Sequence, residues 1–321
     1  MKKFLISAGA LLSLMASQAF AGDKPAEALL HQMSEASNNL SYELSYILIK
    51  KNSIEPLLYR HATHVKDQYA HLVYLSGPVR EVIRRGTEVS YIETGTEPFT
   101  IESGKMVAPI MPMLSANIDE LNLYYDYVKV GRAREAGVPT QVLRIVPKDG
   151  LRYSYVLWID EKSHLPLRAD LVDRDGEMLE QYRTISYSVT PKIAELMSGL
   201  EEVQLPAVLT MPKGDIGASN WHVGWTPKGF QANELNRYRM AVTDQMVESQ
   251  LYSDGLFSFS VYVANKDQHS LKGQLVRQGR RTLHSFVSGN YEISVVGDIP
   301  PATAQRIAQS VTFDAAKSKA Q

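Results

Sequence analysis

Apolar and polar residues alternate along much of this chain, the signature of strands with one face buried. In Ser41–Lys50, Tyr42, Leu44, Tyr46 and Leu48 fall on one side, with Glu43 and Ser45 on the other. Val79–Ile92 breaks at Arg85-Gly86, which predicts two strands and a turn. Leu151–Asp160 places Tyr153, Tyr155, Leu157 and Ile159 on a common face. Leu167–Val172 and Met178–Val189 flank Asp173-Arg-Asp-Gly-Glu177, a charged hairpin tip. Further on, Phe257, Phe259, Val261 and Val263 alternate with Ser258, Ser260 and Tyr262. Asp254-Gly255 separates this run from Gln250–Tyr252, and glycine there supplies the positive φ of a hairpin turn. Arg277–Val287 and Asn290–Val296 predict two more strands.

Helical spacing is rarer. Pro25–Leu40 carries Ala26, Leu29, Leu30, Met33 and Leu40 at intervals that mostly share a helix face, with Pro25 suited to the first turn. Pro191–Leu205 is a short helical stretch, and Pro300–Val311 presents Ala304, Ile307, Ala308 and Val311 on one side. Met106–Tyr127 stands apart. It holds Met106, Met111 and Met113 among prolines, then Ile118, Leu121 and Tyr125 at the spacing of a short helix capped by Ser115 or Asn117. Methionine adapts its shape to irregular apolar surfaces. The segment is therefore either a flap over an apolar cavity or a helix covering one face of a sheet. Pro206–Asn220 is rich in Pro, Gly, Ser and Asn and predicts a linker that lets two domains reorient unless their interface is large. The expected layout is a leader at 1–21, a sheet-rich domain at 22–205, a linker at 206–220, a smaller α+β domain at 221–315 and a polar tail at 316–321. The fold class is mainly β with α.

Composition narrows the function classes. The 321 residues carry a net charge of −1, a balance that argues against nucleic acid as the main partner. There is no cysteine, which excludes disulfides, thiolate metal sites, cysteine nucleophiles and a lipidated N-terminal cysteine. Met1–Ala21 has the form of a secretory signal: Lys2-Lys3, the apolar run Phe4–Ala16, and Ala19-Phe-Ala21 for cleavage before Gly22. The run is too short to span a bilayer, which takes about 20 apolar residues, and no later segment approaches that length. An exported, soluble protein of the periplasmic type is expected.

No motif carries catalysis or a cofactor. Gly-x-Ser-x-Gly and a Gly-rich phosphate loop are both missing from the sequence. His61-x-x-His64 with His71 lies in a strand pattern with no accompanying carboxylate, so surface histidines account for it better than a metal site. Asp173-Arg-Asp-Gly176 lacks the later ligands of a calcium loop, and the hairpin tip explains it. Gly279-Arg280-Arg281 is a basic spot on a strand.

Several segments in order resemble the RseB/MucB family of periplasmic sigma-E regulators. They include Ser41-Tyr-Glu-Leu-Ser45, Leu58-Tyr-Arg-His61, Arg152-Tyr-Ser-Tyr155, Leu171-Val-Asp-Arg-Asp-Gly-Glu177, Trp225-Thr-Pro-Lys-Gly-Phe230, Leu251-Tyr-Ser-Asp-Gly-Leu-Phe-Ser-Phe-Ser-Val261 and Pro300-Pro-Ala-Thr-Ala304. The resemblance covers essentially the whole chain after the leader. It implies a first domain like the lipoprotein carriers LolA and LppX, an unclosed antiparallel barrel over helices, joined to a smaller α+β domain. It implies a non-enzymatic regulator that binds the periplasmic part of the anti-sigma factor RseA and shields it from the protease DegS. It also implies release by lipopolysaccharide or similar lipids, and assembly as a homodimer or higher oligomer. On that basis Tyr42, Leu44, Tyr46, Leu48, Met111, Met113, Tyr155 and Leu157 are expected to line a lipid cavity. Tyr252, Arg280 and Arg281 are expected to meet the partner. A lipid or lipoprotein carrier is the alternative reading, and the extra C-terminal domain weighs against it.

Overall fold

The computed structural model describes residues 24–64, 67–209, 219–240, 245–267, 270 and 273–314. The expected leader, the polar tail and most of the expected linker lie outside them. The first part of the chain contains α1 (Lys24–Asn39), β1 (Tyr42–Lys50), β2 (Ser53–His64), β3 (Asp67–Tyr74), β4 (Arg80–Arg85), β5 (Glu88–Glu93) and β6 (Phe99–Glu102). Then come α2 (Ile118–Leu121), β7 (Tyr125–Glu135), β8 (Val138–Pro147), β9 (Ser154–Asp160), β10 (Pro166–Val172), β11 (Met178–Val189) and α3 (Lys192–Ser198). The remainder forms β12 (Trp221–Val223), β13 (Gln231–Arg239), β14 (Met246–Ser253), β15 (Ser258–Asn265), β16 (Gln274–Gln278), β17 (Arg281–Ser288), β18 (Tyr291–Gly297), α4 (Pro301–Gln309) and β19 (Val311–Phe313).

β1 to β11 make one antiparallel sheet in the order β6-β5-β4-β3-β2-β1-β11-β10-β9-β8-β7. Two meanders are joined where β1 pairs with β11, Leu44 opposite Tyr187 and Leu48 opposite Tyr182. The end strands β6 and β7 do not pair with each other, so the sheet stays unclosed. Alternation in β1 does what the sequence pattern requires: Tyr42, Leu44, Tyr46 and Leu48 are buried, and the residues between them are partly exposed. α1 lies on the buried face through Ala26, Leu30 and Met33. The Met-rich segment joins it as a 3-10 turn (Pro112–Ser115) followed by α2, whose N-cap is Asn117 accepting from the Glu120 N–H.

The second part is a six-stranded antiparallel sheet, β13-β14-β15-β18-β17-β16, with α4 packed on β17 and β18, and a small β12–β19 pair. The Asp254–Gly255 turn forms as expected: Gly255 has φ +90°, and the Asp254 carboxylate accepts the N–H groups of Leu256 and Phe257 at 2.9 and 2.7 Å. The sequence pattern merged β16 and β17 into one strand. Gly279 (φ +59°) instead turns the chain back on itself, a reversal open to glycine at low cost. The pattern also passed over β7 and β8. β7 is an edge strand whose middle is exposed on both faces, so its residues do not alternate.

The start of the expected linker is not free chain. Thr100 on β6 donates its N–H to Ala207 O (3.3 Å), Leu209 N–H donates to Thr100 O (2.7 Å), and Thr100 forms a parallel bridge with Val208. These residues cover part of the β6 edge, which would otherwise present unpaired backbone groups.

Candidate ligand and partner site

The eight expected cavity-lining residues come together in the packed interior, and of them Leu48 also borders a cleft. Tyr42, Leu48, Met113, Tyr155 and Leu157 are fully buried, and Leu44, Met111 and Tyr46 are at most 3% exposed. All eight belong to one continuous apolar cluster that includes α1 and the Met-rich segment. That segment, the plug, packs into the cluster through Met111, Met113, Leu114, Ile118 and Leu121. Tyr46 Oη donates to Pro109 O at 2.6 Å, and Tyr127 Oη donates to Ile118 O at 3.0 Å, so two phenols from the sheet hold its backbone. Burial pushes the Tyr42 and Tyr46 phenols well above their ordinary pKa, and Tyr59 beside them up to about 12. They remain neutral hydrogen-bonding groups. The Tyr155 hydroxyl is buried without a partner among the described residues.

The same apolar cluster crosses into the second domain. Tyr155 stacks on Phe257, the rings 5.6 Å apart and 8° from parallel. At the centre of this seam is Arg152, whose side chain is fully buried. Asp149 accepts from its Nη1 at 2.7 Å, and Asp254 of the second domain lies 2.8 Å from its Nε. Its remaining nitrogen donates to Lys228 O, and its guanidinium sits over the Phe230 and Tyr125 rings at 5.0 and 5.4 Å. Tyr125 Oη closes the group by donating to Asp254 Oδ2 at 2.6 Å. Burial first, then the Asp254 charge, pushes the Tyr125 phenol far up. Two buried charges thus lie in contact, with hydrogen bonds to the Arg152 Nη atoms and to both Asp254 oxygens, while the Arg152 Nε faces Asp254 through charge alone. Tyr153 Oη donates to Ile299 O (3.1 Å) and Thr303 Oγ1 to Leu151 O (2.8 Å), extending the seam. Gly229 (φ +96°) lets the second domain's chain pass the Tyr124 ring, where a Cβ would stand 2.6 Å from ring carbons.

One edge of the seam opens into a cleft of about 630 Å³. Its apolar wall is Leu48, Pro109, Leu179 and Tyr182, so it reaches both β1 and the plug. Lys50 at the end of β1 and Lys51 in the following turn stand on one side, Arg280 of the β16–β17 turn and Arg281 at the start of β17 on the other. Arg280 donates to Glu180 across the seam (2.9 Å) and to Asp298 of its own domain (2.6 Å). Burial disfavours its charge, but Tyr155, Asp298 and Glu180 outweigh that and hold its pKa up. Arg277 adds bonds to Asp173 (3.0 Å) and Glu177 (2.6 Å) at the charged hairpin tip.

The three expected partner contacts therefore occupy different settings. Tyr252 is 7% exposed, stacked on Phe259 at 5.0 Å, with its hydroxyl on Gln250. Arg280 is engaged at the seam, while the Arg281 side chain is 67% exposed and 3.7 Å from Asp298. Among the histidines considered for metal, His61 is buried with Nδ1 2.9 Å from Leu40 O, and burial lowers its pKa. His71 pairs with Glu81 at 2.7 Å. The side chain of His64 lies outside the described residues. Sequence reasoning missed Arg152, Asp149, Lys50 and Lys51. An arginine beside the alternating Tyr153–Ile159 run was the available signal for the first, because a charge next to a buried strand needs partners.

A family model for the MucB/RseB N-terminal domain matches residues 25–208, and one for the MucB/RseB C-terminal domain matches residues 215–312. The chain is 44% identical over 310 residues to the sigma-E factor regulatory protein RseB of Salmonella typhimurium, covering 95% of this chain and 97% of that one. It is 45% identical over 291 residues to RseB of Escherichia coli K12, covering 90% and 91%. Its fold matches a chain in the structure of the Pseudomonas aeruginosa MucA/MucB complex with a TM-score of 0.73 at 24% identity, over 91% of this chain and 100% of that one. No described helix is long and apolar enough to cross a membrane.

Proposed function

The chain belongs to the MucB/RseB family, and from that premise we propose that it is a non-enzymatic negative regulator of a sigma-E envelope-stress response. It acts in the periplasm by binding the periplasmic part of an RseA-type anti-sigma factor and shielding it from a DegS-type protease. The observation that carries this reading is the near end-to-end relation to two sigma-E factor regulatory proteins. The shared fold with a chain solved in a MucA/MucB complex supports it.

Lipid is the releasing signal. What supports this step is the plug: an apolar interior of acyl-chain character is occupied by a methionine-rich segment of the chain itself. A ligand enters by displacing residues held through Tyr46 and Pro109. Displacement changes Pro109 and Leu48, which also line the seam cleft, so a lipid that favours the displaced plug favours a different seam. The exposed Arg281 is the surface contact for the partner, and the chain assembles as a homodimer or higher oligomer.

Calorimetry tests the reading. The chain from Gly22 onward is titrated with the periplasmic segment of the anti-sigma factor, then again with lipopolysaccharide fragments added. Binding that the fragments weaken is the expected result. Binding indifferent to them removes the lipid switch and keeps the regulator. A lack of binding overturns the regulator. The buried apolar interior of the first domain favours a lipid or lipoprotein carrier as the second reading, and lipid co-purifying with a chain that ignores the anti-sigma segment would support it.

A further inference from the structure

We propose that Glu27 and His31 of α1 and Asp119 of α2 bind a divalent transition-metal ion of the zinc class, which ties the N-terminal helix to the plug. The site stands apart from the regulator and lipid readings and depends on neither. Glu27 and His31 are one turn apart on α1, so their side chains share a face. Asp119 comes from a different segment, the short helix of the plug. His31 Nε2 is 3.3 Å from Asp119 Oδ1 and 4.0 Å from Glu27 Oε1, and one ligand atom from each residue lies within 4.8 Å of the others. Donors about 2.0–2.1 Å from a tetrahedral zinc stand about 3.3 Å apart. The His31–Asp119 pair is at that spacing, and Glu27 closes to it by a swing of about 0.7 Å. His31 and Asp119 are exposed, so an ion reaches the site from solvent.

One imidazole nitrogen with two carboxylate oxygens is a donor set that suits zinc and its first-row neighbours. Calcium takes six to eight oxygens and magnesium an octahedron of them, which three donors including a nitrogen do not supply. Two carboxylates converge here, and among the described residues neither is paired with a lysine or arginine. Lys148, which donates to Asn122 O at 2.8 Å, has Asp126 as its charged partner. Only the imidazole stands against Glu27 and Asp119, and a dication supplies the charge the pair lacks. The Glu27 carboxylate is also oriented from outside the group. Asn122 Nδ2 donates to its Oε1 at 2.9 Å, the kind of outer hydrogen bond that fixes a metal ligand. The ion's place defines its effect. Ile118 and Leu121 bury the inner side of α2, and the Asn122–Glu27 bond joins its outer end to α1. A metal across Glu27, His31 and Asp119 adds a second tie there, so displacing the plug then breaks coordination bonds as well as apolar contacts.

The test uses the untagged chain from Gly22 onward, stripped with a chelator and titrated with zinc chloride in competition with a fluorescent zinc indicator. A saturable site is expected that excess magnesium or calcium does not compete for. His31→Ala and Asp119→Asn should each weaken zinc by about a hundredfold or more, and Asn122→Ala, which removes only an outer hydrogen bond, by about tenfold. Circular dichroism of the variants without zinc should match the parent, which separates loss of a ligand from misfolding. Zinc should slow hydrogen exchange at the Leu121 and Asn122 amides, which donate to Asn117 O and Ile118 O, in the parent and not in His31→Ala. Zinc affinity unchanged by His31→Ala overturns the proposal, because the ion then sits at other histidines. Affinity unchanged by Asp119→Asn, or exchange at those two amides indifferent to zinc, overturns the tie between α1 and the plug.

Discussion

Replacing Asp254 by asparagine tests whether the two domains are held by the buried group at their seam. The carboxylate accepts three hydrogen bonds, from Tyr125 Oη at 2.6 Å and, on its other oxygen, from the Leu256 and Phe257 N–H groups, and it lies in ion-pair contact with Arg152 Nε at 2.8 Å. Asparagine keeps one oxygen for the turn N–H groups. Its NH2 then faces two donors, and the fully buried Arg152 keeps Asp149 as its one charged partner among the described residues. Breaking a buried ion pair by removing one charge costs about 3–5 kcal/mol. Because Asp149 remains at 2.7 Å, the lower end, about 3 kcal/mol, is expected. A single cooperative unit of about 300 residues unfolds with an entropy of about 0.6 kcal/mol/K, so melting should fall by roughly 5 °C. The apolar cluster that crosses the seam predicts one calorimetric transition for the parent chain. The variant should show two, as the domains uncouple. Tyr125→Phe combined with Asp254→Asn should cost less than the sum of the single changes, since both act on one group. A single transition within about 0.5 kcal/mol of the parent, the range of an ordinary surface change, would refute a buried, matched seam.

Tyr46→Phe removes the hydroxyl that holds Pro109. It should cost about 0.5–1.5 kcal/mol in stability while speeding uptake of a fluorescent fatty acid, and slower uptake would contradict the plug. Arg280→Glu places a negative charge beside Glu180 and Asp298 and should destabilise the fold by several kcal/mol in urea titration, whereas Arg281→Glu should stay within about 0.5 kcal/mol. Stability should fall at alkaline pH. The Tyr59 phenol is held near about 12 in the fold, and an unfolded tyrosine titrates near about 10. Its contribution is complete below pH 10 and is lost as pH rises from about 10 to 12, at about 1.4 kcal/mol per pH unit. Circular-dichroism melts between pH 8 and 11 should show this, with a shallower slope for Tyr59→Phe.

The alternating stretches were legible because a strand with one wet face must place its apolar residues at every second position. Tyr42–Leu48 and Phe257–Val263 state their faces directly, and Asp254-Gly255 states its turn. The same local rule explains the failures: β7 has no single buried face to read, and the β16–β17 reversal rests on one glycine within an otherwise continuous polar run. The sequence also set the membership of the apolar interior, since the eight residues chosen for a cavity are all buried. Whether that interior is an empty site or a filled one depends on where the Met-rich segment lies, and its own periodicity does not fix that position. Tertiary structure alone decided that Arg152, Asp149 and Asp254 meet. They lie far apart in sequence or beside each other for unrelated local reasons, and a buried charge finds its partner through the fold. The same holds for Lys51 and Arg281. Each reads as an ordinary surface cation until the packing of two domains brings both to one cleft.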